Sequence, residues 1–462
     1  MFEAPTRKRQ EAWPDDPYSE APAPRRRRAK SAGAKPSRRT SRTKSSSGNK
    51  AVTGAAVGIA ITFVVVVVLT VLRDQQPTNA PGSVSGDESA TVAAATVNTG
   101  APVSDDECQA FAAALEQAVI NKNQSEILTL MNFGAMLDKC MAGIDVPSRF
   151  QQEFHRGAMS TMPQFAQQIS QQAQGGSYKY LRTLQGATVK QVLFRLHGEA
   201  GLNYHRFDLI RNSAGQVVSG DVYIFATGEY LSTTFRRVYL PAAADASRSL
   251  ISRLTESDNA ILASLPKVQQ LQQAAQNGHH DQALQIFKAM PAAVRAEKYI
   301  LLFAIKSASE VSDAEYVSLL EELKANYPND VCLDLLFTDY YLLKKRLPEY
   351  NAALDRLDRA VGGDPFIECL RATIMLTEGR HAEARNTLTP LLNDERFGED
   401  AHVSMLDVDL AEQNHSATLT TLRTLRDDYG YEWKNFEGVV DFAEFVKSAE
   451  YQEWASDEKN NL

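Results

Sequence analysis

The stretch AVTGAAVGIAITFVVVVVLTVL, Ala51 to Leu72, constrains this chain more than any other part of it. It runs 22 residues without a charge, and Lys50 and Arg73 close its two ends. At about 1.5 Å per residue a helix of this length reaches roughly 33 Å, near the ~30 Å of a bilayer's hydrocarbon. A buried strand does not continue for so many apolar residues. The sequence therefore predicts a transmembrane helix over 51–72. Gly54 and Gly58 lie one turn apart within it, a spacing that permits close approach of a second helix and so self-association.

The flanks of this stretch differ sharply in charge. Residues 1–50 hold 14 Lys or Arg against 5 Asp or Glu, a net +9. Asp74 to Asp105 carries four acids and no Lys or Arg. Short basic flanks stay cytoplasmic, so the expectation is a signal anchor in the cell membrane, N-terminus cytoplasmic and the folded mass extracytoplasmic. A cleaved signal peptide usually has a shorter apolar core and a small-residue cleavage site. Residues 1–50 are rich in Pro, Ser, Lys and Arg without an apolar period, and read as a disordered tail. Such a tail can touch anionic lipid headgroups. No aromatics interleave its basic run, so stacking on nucleic-acid bases has no support. Residues 73–104 form a flexible linker.

Between about 105 and 240 the pattern is α+β. Ser104 followed by Glu107 has the capping-box form and opens a helix carrying Phe111, Leu115, Ala118 and Val119. Further helices are expected over Ser125–Cys140 and from Pro147 to about Gln172. Five strands follow, at Tyr178–Leu184, Val189–Leu196, Leu202–Arg211, Val217–Ala226 and Tyr230–Leu240, which consecutive hairpins join into a curved antiparallel sheet. Helices followed by a bent meander resemble the nuclear transport factor two-like (cystatin-like) fold. That resemblance implies a pocket between sheet and helix, here with His205, Asp208, Asp221 and Tyr223 as its polar candidates. An aspartate beside a tyrosine donor could move a proton next to a carbonyl. Asp221 and Tyr223 share one strand face, however, and Val222 and Ile224 share the other. An enzyme or small-ligand sensor in this domain is thus the alternative to a binding protein.

Residues 255–432 show helical patterning broken every thirty-odd residues. Ala353, Leu357, Ala360 and Pro365 form the clearest copy, and Ala283, Tyr316, Ala384 and Leu419 mark the equivalent position elsewhere. These spacings resemble the tetratricopeptide repeat. The resemblance implies an α-solenoid of helical hairpins, capped by residues 433–462, with a groove that holds a protein or peptide. Asp334, Asp339 and Tyr341 on one first helix are its candidate partner-binding residues. Residues 255–462 carry 20 basic against 36 acidic residues, a net −16, which favours a basic or neutral partner and disfavours nucleic acid. The leading expectation is a membrane-anchored scaffold without a catalytic constellation. No motif calls for a cofactor or a metal, and the oligomeric state stays open. Of the four cysteines, Cys108 and Cys140 fall on helices expected to be neighbours, which leaves a bond between them open, whereas Cys332 and Cys369 sit at the starts of successive first helices, too far apart for a disulfide. His279 and His280 stand at a repeat turn with only Asp281 beside them, which does not make a metal site.

Overall fold

Ser104 and Glu107 do form the capping box: the Glu107 amide donates to Ser104 Oγ at 3.2 Å and the Ser104 amide to Glu107 Oε2 at 2.9 Å. The helix they open, α1 (Asp105–Ile120), is the first element of a computed structural model. It describes residues 101–457 apart from 161, 174–175, 199–200, 247–255, 434–435 and 437. Among the described residues no helix is long and apolar enough to cross a membrane. The stretch 51–72 lies outside the described residues, as do Gly54, Gly58, the basic tail and nearly all of the linker. The transmembrane helix, the signal anchor and the membrane location expected from the sequence are therefore without support in this structure and are withdrawn.

The next helices are shorter than the sequence pattern suggested. The expected 125–140 helix is two, α2 (Gln124–Thr129) and α3 (Phe133–Met141). Between them the Asn132 amide bonds to Ser219 O at 2.7 Å, and the Asn132 side chain caps α3. The expected 147–172 helix is represented by α4 (Ser148–Ser160) and α5 (Met162–Gln172), on either side of residue 161.

The sheet is an antiparallel meander in sequence order: β1 (Ser177–Gln185), β2 (Lys190–Gly198), β3 (Gly201–Arg211), β4 (Val217–Ile224) and a two-residue β5 (Glu229–Tyr230). Its pairings place Val192, Phe194, His205, Phe207, Val222 and Ile224 on one face, toward α1 and α5. Lys179, Arg195 and Tyr204 lie side by side on the other.

The fifth expected strand, Tyr230–Leu240, is mostly helix: α6 runs Leu231–Ala246. Leu231, Phe235, Tyr239 and Ala243, each four residues on, are all buried, while Thr233 is exposed. That is a helical stripe; a strand would have grouped Leu231, Thr233 and Phe235.

Five helix pairs follow: α7 (Glu256–Gln276) with α8 (His280–Lys288), α10 (Lys298–Val311) with α11 (Asp313–Asn326), α12 (Cys332–Leu343) with α13 (Leu347–Val361), α14 (Pro365–Thr377) with α15 (His381–Leu388), and α16 (Gly398–Ala411) with α17 (His415–Asp427). A short helix, α9 (Ala292–Arg295), links the first two pairs, and α18 (Ala449–Ser456) ends the described chain. The marker positions Ala283, Tyr316, Ala353, Ala384 and Leu419 fall one on each second helix, and all are buried.

Four of the five pairs turn alike. Gly278, Lys345, Gly379 and Gln413 have φ of 75°, 53°, 74° and 53°, at separations of 67, 34 and 34 residues. After each, an amide reaches a carbonyl five residues back: His279 to Ala274, Arg346 to Tyr341, Arg380 to Met375 and Asn414 to Asp409, at 2.7–2.9 Å. This closure satisfies carbonyls that the helix end leaves open. The pair α10–α11 departs from it, with an extended Ser312 between its helices. One buried apolar cluster runs from Val103 through the sheet to Ile374, so the α+β region and the first helix pairs share a core.

Candidate functional site

The polar residues expected in a pocket are split by strand parity. His205 faces α5 and lines a cavity of about 10 Å³ with Phe165, Gln168, Ile169, Gln172, Val222 and Ile224. That volume is about the least that holds one water molecule. Tyr178 Oη and Asn203 Nδ2 lie 3.3 Å from the two ring nitrogens of His205. Burial lowers its pKa to about 4, so the ring is neutral at pH 7.

Asp208 and Asp221 face each other across β3 and β4 on the opposite face. Lys139 of α3 lies 3.8 Å from Asp208 and 3.4 Å from Asp221. The sequence left open which face of β4 is buried. Val222 and Ile224 do face the core, yet Asp221 is buried as well. The reason is α6. Asp221 Oδ1 accepts the Val222 amide at 3.0 Å and the Ser232 amide at 3.2 Å, and Oδ2 accepts Ser232 Oγ at 2.6 Å. The carboxylate thus caps the N-terminus of α6 from another strand. Burial raises its pKa, opposed by those hydrogen bonds and by Lys139. Asp208 accepts Gln191 Nε2 at 2.7 Å and Tyr230 Oη at 3.2 Å. The Arg206 guanidinium lies 4.7 Å from the Tyr223 ring centre, and Tyr223 packs edge-on against Tyr230. Both carboxylates are engaged in holding the fold.

The charged face of the sheet and the helix ends beside it make an extended polar assembly that the sequence reading missed. Four acids stand at the N-terminal ends of successive first helices: Glu297, Asp330, Asp364 and Asp400, at separations of 33, 34 and 36 residues. Acids favour that place because they accept orphan amides and oppose the helix dipole. Asp330 accepts the Cys332 amide at 3.0 Å, and Asp364 the Phe366 amide at 3.1 Å.

Each acid also meets a cation. Arg237 reaches Glu297 at 3.5 Å, and Lys298 reaches Asp330 at 2.5 Å and Gly228 O at 3.2 Å. Arg195, fully buried, donates to Asp364 at 2.9 Å and also to Asp400. Tyr204 Oη donates to Asp364 at 3.0 Å, and Lys179 meets Glu399 at 3.1 Å and Asp400 at 3.5 Å. The Arg195 guanidinium rests 4.5 Å from the Phe366 ring centre. Burial works against ionised Asp400, but Arg195 and Lys179 outweigh it and hold the pKa below the usual aspartate range.

The outer strand β1 is gripped along its edge. Its Tyr180 amide donates to Glu116 Oε2 of α1 at 2.8 Å, and Arg396 donates to the carbonyls of Tyr180 and Leu181. The β1–β2 register shifts between Tyr180 and Arg182, at the same place on the strand.

The expected partner-binding residues do not form one open patch. Tyr341 is buried against Phe337 and Tyr340. Asp334 is partly buried and pairs with Arg356 of α13 at 2.7 Å. Asp339 lies on α12, with its side chain outside the description. All four cysteines are free and buried, Cys108 and Cys140 included. His279 and His280 open α8, and among the described residues no group of three or more His, Cys, Asp or Glu is placed to hold a metal ion. No family model, no curated protein and no solved structure matches this chain. Neither family resemblance drawn from the sequence has support from a match.

Proposed function

We propose that this chain is a non-catalytic scaffold whose helix pairs bind a protein or peptide partner. One observation carries the reading. The N-terminal ends of the first helices are taken up inside the fold, Asp364 and Asp400 by Arg195, Tyr204 and Lys179 of the sheet, Glu297 by Arg237 of α6 and Asp330 by Lys298 of α10, and later turns of α12, α14 and α16 lie nearer the surface. Thr373 on α14 and Asp407 on α16 are exposed, and Thr338 and Leu342 on α12, Leu376 on α14 and Leu410 on α16 are partly buried, each leucine packing one side against the apolar clusters beneath. Leu342, Leu376 and Leu410 are spaced by 34 residues, so successive pairs present the same apolar point in register. A row of regularly spaced apolar points among polar residues suits an extended peptide or a helix.

The test compares immobilised full-length wild-type chain with a Leu342→Glu/Leu376→Glu variant at native salt, with captured proteins quantified by mass spectrometry. A specific partner should fall at least tenfold in the variant. Equal retention of every captured protein, or turnover of a substrate by the purified chain, overturns the proposal.

A further inference from the structure

The connection from α13 to α14 is three residues long, Gly362, Gly363 and Asp364, and the sheet holds all three. Gly362 and Gly363 have φ of +71° and +97°, a backbone that residues with a Cβ adopt only with strain. Arg182 of β1 donates one guanidinium nitrogen to each of their carbonyls. Arg195 and Tyr204 fix Asp364.

Beyond this connection the core changes. The fully buried part of the main apolar cluster ends on Ile367 and Ile374 of α14, and Leu370 and Phe397, partly buried, pack against it. The other face of α14 begins a separate small cluster with Phe366, Cys369, Ala372, Ala384, Leu388, Met405 and Val408. A third joins α16 and α17 to Phe436 and Trp454. The sheet meets this distal part through charge, with Arg195 and Lys179 on Asp400 and Glu399 and Arg396 on β1, and through rings, with His197 and Arg195 against Phe366. Leu202, which packs against the second cluster, is among the few apolar links.

We propose that Gly362–Gly363 is a pivot in the helical array and that Arg182, Arg195 and Lys179 form the latch that holds it closed. With the latch made, α14 is fixed on the sheet. With it released, α14 rolls on Ile367 and Ile374, and α14–α18 move as one body against the rest. The glycine pair supplies the backbone freedom that such a hinge uses.

The four native thiols are buried, so spin labels can be directed to exposed positions of the full chain. One pair, Ser213→Cys with Gln452→Cys, spans the pivot; a control pair, Ser213→Cys with Ala352→Cys, does not. In an Arg182→Gln/Arg195→Gln background the spanning distance should shift or broaden by at least one helical turn, about 5 Å, with the control pair unmoved. No change across the pivot, or equal change in both pairs, overturns the proposal. Should that variant fail to fold, Asp400→Asn in the otherwise native chain gives a second reading. Amide exchange at Phe366 and Ile367 should rise at least tenfold while Leu193 stays as in wild type. Unchanged protection at Phe366 and Ile367, or an equal rise at Leu193, rejects the latch.

Discussion

His205 and Asp221 show how one residue's surroundings fix what it contributes. His205 is neutral in the folded chain, and its pKa of about 4 lies below the ~6.5 of an exposed histidine. The unfolded chain therefore takes up the proton first as pH falls. Stability should drop from about pH 6.5 to about pH 4 and level off below that, by an amount on the order of 3 kcal/mol from this group. Urea midpoints of wild type and His205→Phe, measured at pH 7 and 4.5, should differ in their pH response, with the variant losing less on acidification. Equal losses would show that the ring titrates normally. Asp221 calls for a paired substitution. Asp221→Ala leaves the Ser232 amide and Oγ at the start of α6, and the Val222 amide, without their acceptor and should cost about 1–3 kcal/mol. Asp221→Asn keeps a carbonyl acceptor and removes a buried charge, so it should cost less. A denaturation series in which the asparagine variant is the weaker one contradicts the capping role.

Among the elements, α6 is the sharpest departure from the sequence expectation, and also the easiest to test. Phe235→Ala should cost about 3–5 kcal/mol, as for other buried aromatics, and Thr233→Ala under about 0.5 kcal/mol. A strand would put both residues on one face and make the costs alike. Thermal melts of the two variants decide between them. The helical signal was present in Leu231, Phe235, Tyr239 and Ala243, but the β-branched and aromatic content of the same run argued for a strand. By contrast, α1 was legible because its cap and its apolar stripe are both local. The break at Leu130–Asn132 was not, because the Asn132 amide bonds to Ser219, far along the chain.

For the whole molecule, the decisive contacts join residues that are distant in sequence, and here local pattern gives least. Lys179, Arg195 and Tyr204 follow from strand parity, but nothing local pairs them with Asp364 or Asp400. A signal did exist, since acids recur at 297, 330, 364 and 400 close to the repeat spacing. It lay among 36 acidic residues and was not distinguished from them. The pocket candidates failed for a related reason: parity separates His205 from Asp221, and only the packing of α5 and α6 shows that both faces are buried. Arg195 is the residue on which this assembly turns. Arg195→Met should cost about 3–5 kcal/mol, because it leaves Asp364 and Asp400 buried beside an apolar group. Arg195→Met/Asp364→Asn should recover part of that loss, and a double-mutant cycle by urea denaturation measures the coupling. Additive losses would mean that Arg195 and Asp364 do not depend on each other.

The grip of Arg396 on the edge of β1 has a consequence for how this protein is made. Tyr180 and Arg396 are 216 residues apart. At about 5–20 residues per second, translation needs roughly ten to forty seconds to bridge that gap. Throughout that interval the strand is already outside or entering the ribosome tunnel while half its edge protection does not yet exist. Unpaired strand edges are templates for aggregation. Glu116, made earlier, covers only the amide of Tyr180. Synthesis of this chain should therefore lean on chaperones during one definable window, and stalling between codons 185 and 396 should be more harmful than stalling after it.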